Sequence, residues 1–461
     1  MLQETTNKKT NAKNYLAIAF GILAAQGLGV AYINSFLSFV YSEFIGVSVA
    51  IVGIVLSVGT LVDGLSDFGM GIVIDRVQTK YGKAKHWFLY MAVPLALTTV
   101  LVFFCPTGAS LPVKVVYLVV IYNLYCTAVT AVRLPVNTMP ALISNSPKVR
   151  ATASFFVAVS ATVGQIIVNS CVDPVVNFFG GGLLGYRVFL IILAVVMLVL
   201  CLAAFFLAKE VRSGDELTKK ETARSQGNIW NQIKNLFKNK YWLIQQGMTI
   251  PFFFVSGICM GCMVYFCNFV LGGMQFMGPM TLCTMGGMML GAVITLPISR
   301  RVDGRTVCLC AGLLGIISAV VQYLFVYNNT TLFFVGMLLS GLACGGCTAM
   351  DAAMTARTID YGEWKTGNRQ EGLCYSGKAV CQKIAAALAA AFLGFVLKAA
   401  GYVEGGAGMN AVSDSVIHAI VFLMVIVPGI LFVIYTVSAY FFKLTDKRVE
   451  EIQAELRQRN G

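Results

Sequence analysis

Twelve stretches of mostly apolar residues, each about 20 or more long, recur along the chain, and a helix of that length is what crosses the ~30 Å hydrocarbon core of a bilayer. They fall at roughly 15–41, 47–74, 87–105, 112–142, 151–178, 186–207, 241–271, 276–298, 306–326, 331–355, 373–400 and 416–442. A hydrophobic share of 57% with only 12% charged residues is that of a chain whose solvent is lipid. The formal charge of +13 reflects orientation, not a nucleic-acid partner. Roughly 28 of the 34 Lys and Arg lie at the termini and in the loops that follow even-numbered spans, which places both termini in the cytoplasm and the protein in the inner membrane. The polar opening, MLQETTNKKTNAKN, has no short apolar core with a cleavage site, so no removable signal peptide is expected. The fourteen cysteines sit mostly inside apolar runs, as buried thiols do.

One long charged interior stretch, KEVRSGDELTKKETARSQGNIWNQIKNLFKNK, follows the sixth span. It divides the chain into a six-helix bundle at 1–208, a cytoplasmic linker at 209–240, and a second bundle with a cytoplasmic tail at 241–461. Ile229, Ile233, Leu236 and Phe237 would form an apolar stripe on a basic helix along the membrane surface. The loops GIVIDRVQTKYGK and SRRVDGR follow spans two and eight, and their likeness is the weak internal symmetry of a repeat-built transporter. Glycine-dense runs in spans eight and ten, TMGGMMLGAV and SGLACGGCTA, allow close helix contact, either static or sliding. An enzyme is not expected, because no metal-ligand cluster, nucleotide loop or nucleophile elbow is present.

Charges inside the membrane carry the functional signal. Asp63 and Asp67 lie one helical turn apart in span two, on one face, where like charges repel and each costs at least ~2.5 kcal/mol. Asp67 precedes Asp75 by eight residues, roughly 12 Å of rise, too far for its short stem to reach water. A cation, a proton or neighbouring basic groups must balance the pair. Thr130 and Arg133 share a face in span four, and Arg133 can bind solute, clamp the carboxylates or snorkel outward. In span eleven, Lys378 is expected near the cytoplasmic end, reaching water, and Lys383 deeper, beside Gln382, as a partner for Asp63 or Asp67. Asp351 reads as a further polar wall residue or, more simply, as a helix-end aspartate facing a loop.

The segments DGLSDFGMGIVIDRVQTKYGKAK and DYGEWKTGNRQEGLCYSGKAVCQK resemble the signatures of the glycoside-pentoside-hexuronide cation symporters, the melibiose permease group of the major facilitator superfamily. The resemblance covers essentially the whole chain. It implies an all-α fold of twelve helices in two bundles, alternating access, and solute uptake driven by sodium, proton or lithium, with no bound cofactor. Position by position, the family's cation site falls on Asp63, Ser66, Asp67, Thr130 and Lys383, with Asp63 and Asp67 as the sodium ligands if sodium is the coupling ion. The family's first-helix aspartate for sugar hydroxyls falls at Gly27, beside Gln26; its fourth-helix aspartate falls at Arg133, its stacking aromatic at Asn137 and its fifth-helix arginine at Ala158. Candidate solute ligands are therefore Gln26, Asn34, Arg133, Asn137 and Gln382, and Asp75, Arg76 and Lys83 form the cytoplasmic gate loop.

The expected function is cation-coupled symport of a sugar, glycoside or hexuronide-like solute by a monomer in the lipid bilayer. Arg133 in place of an acid favours an anionic solute, since a guanidinium binds carboxylate through a two-pronged fork. Two alternatives stand beside it: a cation-independent exchanger in which the bases lock the aspartates, and a lysolipid-type transporter.

Overall fold

A computed structural model describes residues 2–77, 79, 81–82, 84–143, 147–210, 236–367, 371–403 and 412–460. Its spans are α1 (Ala12–Ile45), α2 (Val49–Arg76), α3 (85–101, in two pieces), α4 (Leu111–Ile143), α5 (Pro147–Phe178) and α6 (Gly182–Leu207). The second half holds α7 (Lys240–Phe269), α8 (Met274–Ile298), α9 (Gly304–Phe325), α10 (Thr330–Thr366), α11 (Glu371–Ala399) and α12 (Asp414–Phe441), then a polar helix α13 (Asp446–Asn460). Helices dominate because lipid offers no partner for a free N–H or C=O, so each backbone group must bond within its own segment. Among the described residues, ten helices are long and apolar enough to cross a membrane. The two others are α2, whose apolar part is Val49–Gly64, and α3, where it is Ala92–Leu101. Helix α2 carries Asp63 and Asp67 within an unbroken run of 28 helical residues.

The helices gather into two units. Unit 1 comprises Met1–Ser225 with Gly272–Gly278 and Gly394–Ser413, and unit 2 comprises Gln226–Leu271, Pro279–Leu393 and Asp414–Gly461. In unit 1 an aromatic core is centred on Tyr32 of α1, whose ring lies 5.1 Å from Phe36, 5.5 Å from Phe103 and 5.0 Å from Phe189. Its buried hydroxyl donates to the Tyr186 carbonyl at 3.1 Å, as a phenol in an apolar core must. Basic residues close helix ends that would otherwise leave carbonyls bare. Lys114 donates to the Ile45 carbonyl at 2.7 Å, and Arg187 to those of Phe103 and Cys105 at 2.8 and 3.1 Å.

In unit 2, α8 and α10 meet backbone to backbone along the expected glycine stripe. A Cβ placed on Gly341 would stand 2.5 Å from the Thr284 carbonyl oxygen, and one on Gly291 2.3 Å from that of Leu342. Wide π turns interrupt α1 at Leu23–Val30, α8 at Leu282–Gly286 and α12 at Phe422–Ile426. The last ends just before Pro428, whose ring clashes with a normal turn and whose missing N–H frees a carbonyl. Helix α13 packs its Ile452 into the core. Arg357 of α10 pairs with Asp446 at its start and, at 3.4 Å, with Asp303.

Two expectations fall wholly or partly outside the described residues: Ile229 and Ile233 of the linker stripe, and Lys83 of the gate loop. Leu236 is buried against Trp242, Ile359 and Cys374, whereas Phe237 is exposed. Helix α10 runs eleven residues past the expected end of span ten, to Thr366, so Asp351 lies inside a helix and not at its end.

Candidate functional site

Close approach of α2 and α4 sets the site. Gly59 leaves room for the Tyr122 ring, since a Cβ there would stand 2.5 Å from it. On the other side, Trp87 and Ala131 pack with Met70, Met91 and Leu134. Between these two contacts α2 presents Asp63 and Asp67 toward Thr130 and Arg133.

Thr130 is fully buried, and its Oγ1 lies 3.0 Å from Asp63 Oδ1 and 2.9 Å from Asp67 Oδ1. Both carboxylates thus converge on one hydroxyl. Arg133 Nη2 lies 2.8 and 3.0 Å from the two oxygens of Asp67, and 3.9 Å from Asp63 Oδ2. The three charged side chains retain 14–24% exposure, so they are screened from bulk water without being sealed from it. Among the three roles open to Arg133 from sequence, the structure places it on the carboxylates. A hydroxyl, four carboxylate oxygens and a guanidinium at this spacing can hold a proton or a small cation, because the oxygens accept and Arg133 offsets only part of the charge they carry.

Ser66 points elsewhere: its hydroxyl donates to the Asp63 carbonyl of its own helix at 3.0 Å. Lys383 and Gln382 are half-buried on α11, and Lys383 belongs to unit 2, the carboxylates to unit 1. Asn34 and Asn137 are exposed on α1 and α4, and Gln26 is half-buried within the π turn of α1. Asp75 and Arg76 close α2.

Position 27 is not a solute position. Gly27 is buried against α5, where a Cβ would stand 3.2 Å from the Gly164 Cα and from the Ser160 carbonyl oxygen, and a Cβ on Gly164 only 2.6 Å from the Gly27 Cα. A π turn rotates the face of a helix by inserting a residue, and Gly27 sits inside one. Gly27→Asp is accordingly expected to lower the thermal midpoint of the solubilised protein, by the ~1–3 kcal/mol typical of overpacking, without improving sugar binding. Unchanged stability would show this face to be open.

A second polar cluster, in unit 2, escaped the sequence reading. Lys378 is buried, at 6% exposure, and does not reach water as expected. Its Nζ lies 2.5 Å from Asp351 Oδ2 and 3.0 Å from Thr355 Oγ1. Gln245 of α7 donates to that same Thr355 oxygen at 2.5 Å. The signal was present in two intramembrane charges of opposite sign, but the early end drawn for span ten put Asp351 at a loop.

A family model described as an MFS/sugar transport protein matches residues 17–446 of the chain. The isoprimeverose transporter of Lactiplantibacillus pentosus is 28% identical over 95% of this chain and 90% of that protein. The inner membrane symporter YicJ of Escherichia coli is 26% identical over 92% of this chain and 90% of its own length. The inward-open xylose transporter XylE of E. coli superposes with a TM-score of 0.65 at 13% identity, over 96% of this chain and 99% of that one, a likeness of fold.

Proposed function

Because the chain belongs to the MFS/sugar transport protein family, the glycoside-pentoside-hexuronide:cation symporters of the major facilitator superfamily, and is a multi-pass membrane solute transporter, we propose that it moves a glycoside by symport with a cation bound at Asp63 and Asp67. The observation that carries this is the convergence of both carboxylates on the Thr130 hydroxyl, at 3.0 and 2.9 Å. A hydroxyl and two carboxylates gathered in this way are oxygen ligands of the kind that hold a proton, sodium or lithium ion. Binding there would shift the balance between the conformations of an alternating-access cycle, because an ion that binds one state better than another biases the equilibrium by that difference.

The names of the relatives, an isoprimeverose transporter and an inner membrane symporter, support a sugar solute and the inner membrane. Ligands proposed for it are Gln26, Asn34, Asn137 and Gln382. With Arg133 engaged by Asp67, the case for an anionic solute weakens and a neutral glycoside becomes the better reading. Lys383, a base within α11, is proposed to take part in the charge balance of the transport cycle. Both termini are proposed to be cytoplasmic, and 1–208 and 241–461 to be the two bundles.

A second reading draws on the two short contacts from Arg133 to Asp67. If that pair never opens, Arg133 replaces the ion and the protein exchanges solute without a cation. Right-side-out vesicles separate the two. Under symport, an imposed sodium or proton gradient drives accumulation of isoprimeverose above its equilibrium level; equal uptake with and without every gradient, while counterflow persists, would establish exchange.

A further inference from the structure

Unit 2 holds a small cavity of about 30 Å³ between α7, α9, α10 and α12, room for about one or two water-sized groups. Gln245 and Thr249, one turn apart on α7, line it together with Asp351 of α10. Both α7 residues are almost completely buried, at 1% and 3% exposure. Each also keeps an orphaned polar atom: Gln245 Oε1 and Thr249 Oγ1 have no hydrogen-bond partner among the described residues. An unsatisfied buried acceptor costs about 1–3 kcal/mol, so two facing one cavity call for an occupant.

The orientation of Gln245 is set by its surroundings. Its Nε2 lies 3.3 Å from the Asp351 carbonyl, which can only accept, and 2.5 Å from Thr355 Oγ1. The amide oxygen is therefore the atom left for a ligand, and it needs a donor. Lys378 stands 2.5 Å from the Asp351 carboxylate, so a metal cation entering here would face an ammonium already in place. An anion would meet the carboxylate. What suits an amide oxygen, a hydroxyl and a neutralised carboxylate is an uncharged group with several O–H donors. Phe252, Phe253 and Met354 supply part of the remaining wall, an apolar surface suited to the C–H groups that carry a sugar's terminal hydroxyl. Asp351 keeps 31% of its side chain exposed, so the cluster can be reached from outside the core.

We propose that this cavity is a hydroxyl-binding subsite for one end of a neutral glycoside, with Gln245 Oε1 and Thr249 Oγ1 as its hydrogen-bonding groups and Asp351, held by Lys378, at its mouth. The proposal rests on the reading of the protein as a glycoside transporter and assigns part of the recognition to α7 and α10.

The test is calorimetric titration of the purified full chain with the neutral methyl glycosides of glucose, galactose and xylose, and with glucuronate as the charged counterpart. Thr249→Val keeps the volume and removes only the hydroxyl. It is expected to leave the thermal midpoint unchanged or raised and to weaken the best-bound methyl glycoside at least fivefold, while Thr249→Ser restores binding to within twofold. Thr249→Ala is read in the same way should the valine variant fail to fold. Binding by Thr249→Val within twofold of the parent would overturn the subsite while leaving glycoside transport standing, and so would a parent preference for glucuronate over every methyl glycoside. No binding of any methyl glycoside to the parent protein would overturn both.

Discussion

Asp67→Asn is expected to abolish gradient-driven accumulation of solute, reducing it at least tenfold at equal amounts of protein in the membrane. Asparagine keeps the size of the side chain and removes its charge. Arg133 then loses the charged acceptor it meets at 2.8 and 3.0 Å, and hydrogen bonds to ionised groups are roughly twice as strong as neutral ones. The freed guanidinium sits 3.9 Å from Asp63, where it can neutralise the one acid left. With that, the site no longer gains from an incoming cation, and the gradient has nothing to act through. Counterflow of solute should survive, because it needs no net coupling. Asp67→Asn vesicles that still accumulate solute against its gradient would place the coupling ion elsewhere.

The second large effect is expected in unit 2. Asp351→Asn leaves the Lys378 ammonium, buried at 6% exposure, without its counter-charge, and breaking one side of a buried ion pair costs ~3–5 kcal/mol. The lower end applies here because Asp351 itself is partly exposed. Thermal unfolding of the solubilised protein should show a fall of several degrees, and the double variant Asp351→Asn with Lys378→Met should regain most of it. That recovery distinguishes a stranded charge from a lost contact. Equal losses in the single and double variants would mean that the two side chains do not stabilise each other.

Much of this architecture could be read before any coordinate was known. Apolar run length is a strong signal in lipid, where irregular backbone is penalised, and the helices of the structure lie close to the expected spans. Asp63, Asp67, Thr130 and Arg133 were equally visible, since charges at spacings of three and four in an apolar helix have few innocent explanations. What escaped depended on boundaries and on facing. Helix α10 continues to Thr366 through polar residues that resemble a loop, so Asp351 was read as solvated and Lys378 as reaching water. Ser66 bonds its own helix, a choice no spacing rule reveals. Gly27 sits in a π turn, which shifts every later residue around the helix axis relative to a regular count. The orphaned atoms of Gln245 and Thr249 exist only once three other helices have closed over them.

Thr130 carries one further implication. A threonine hydroxyl is a rotor with a single hydrogen, and here both of its resting directions end on an anion. Whichever aspartate it abandons becomes the more negative of the two, so a turn about one side-chain bond relocates the point of strongest attraction by a few ångströms. An ion bound as proposed would then meet a choice of two adjoining berths, set by the direction of one O–H bond.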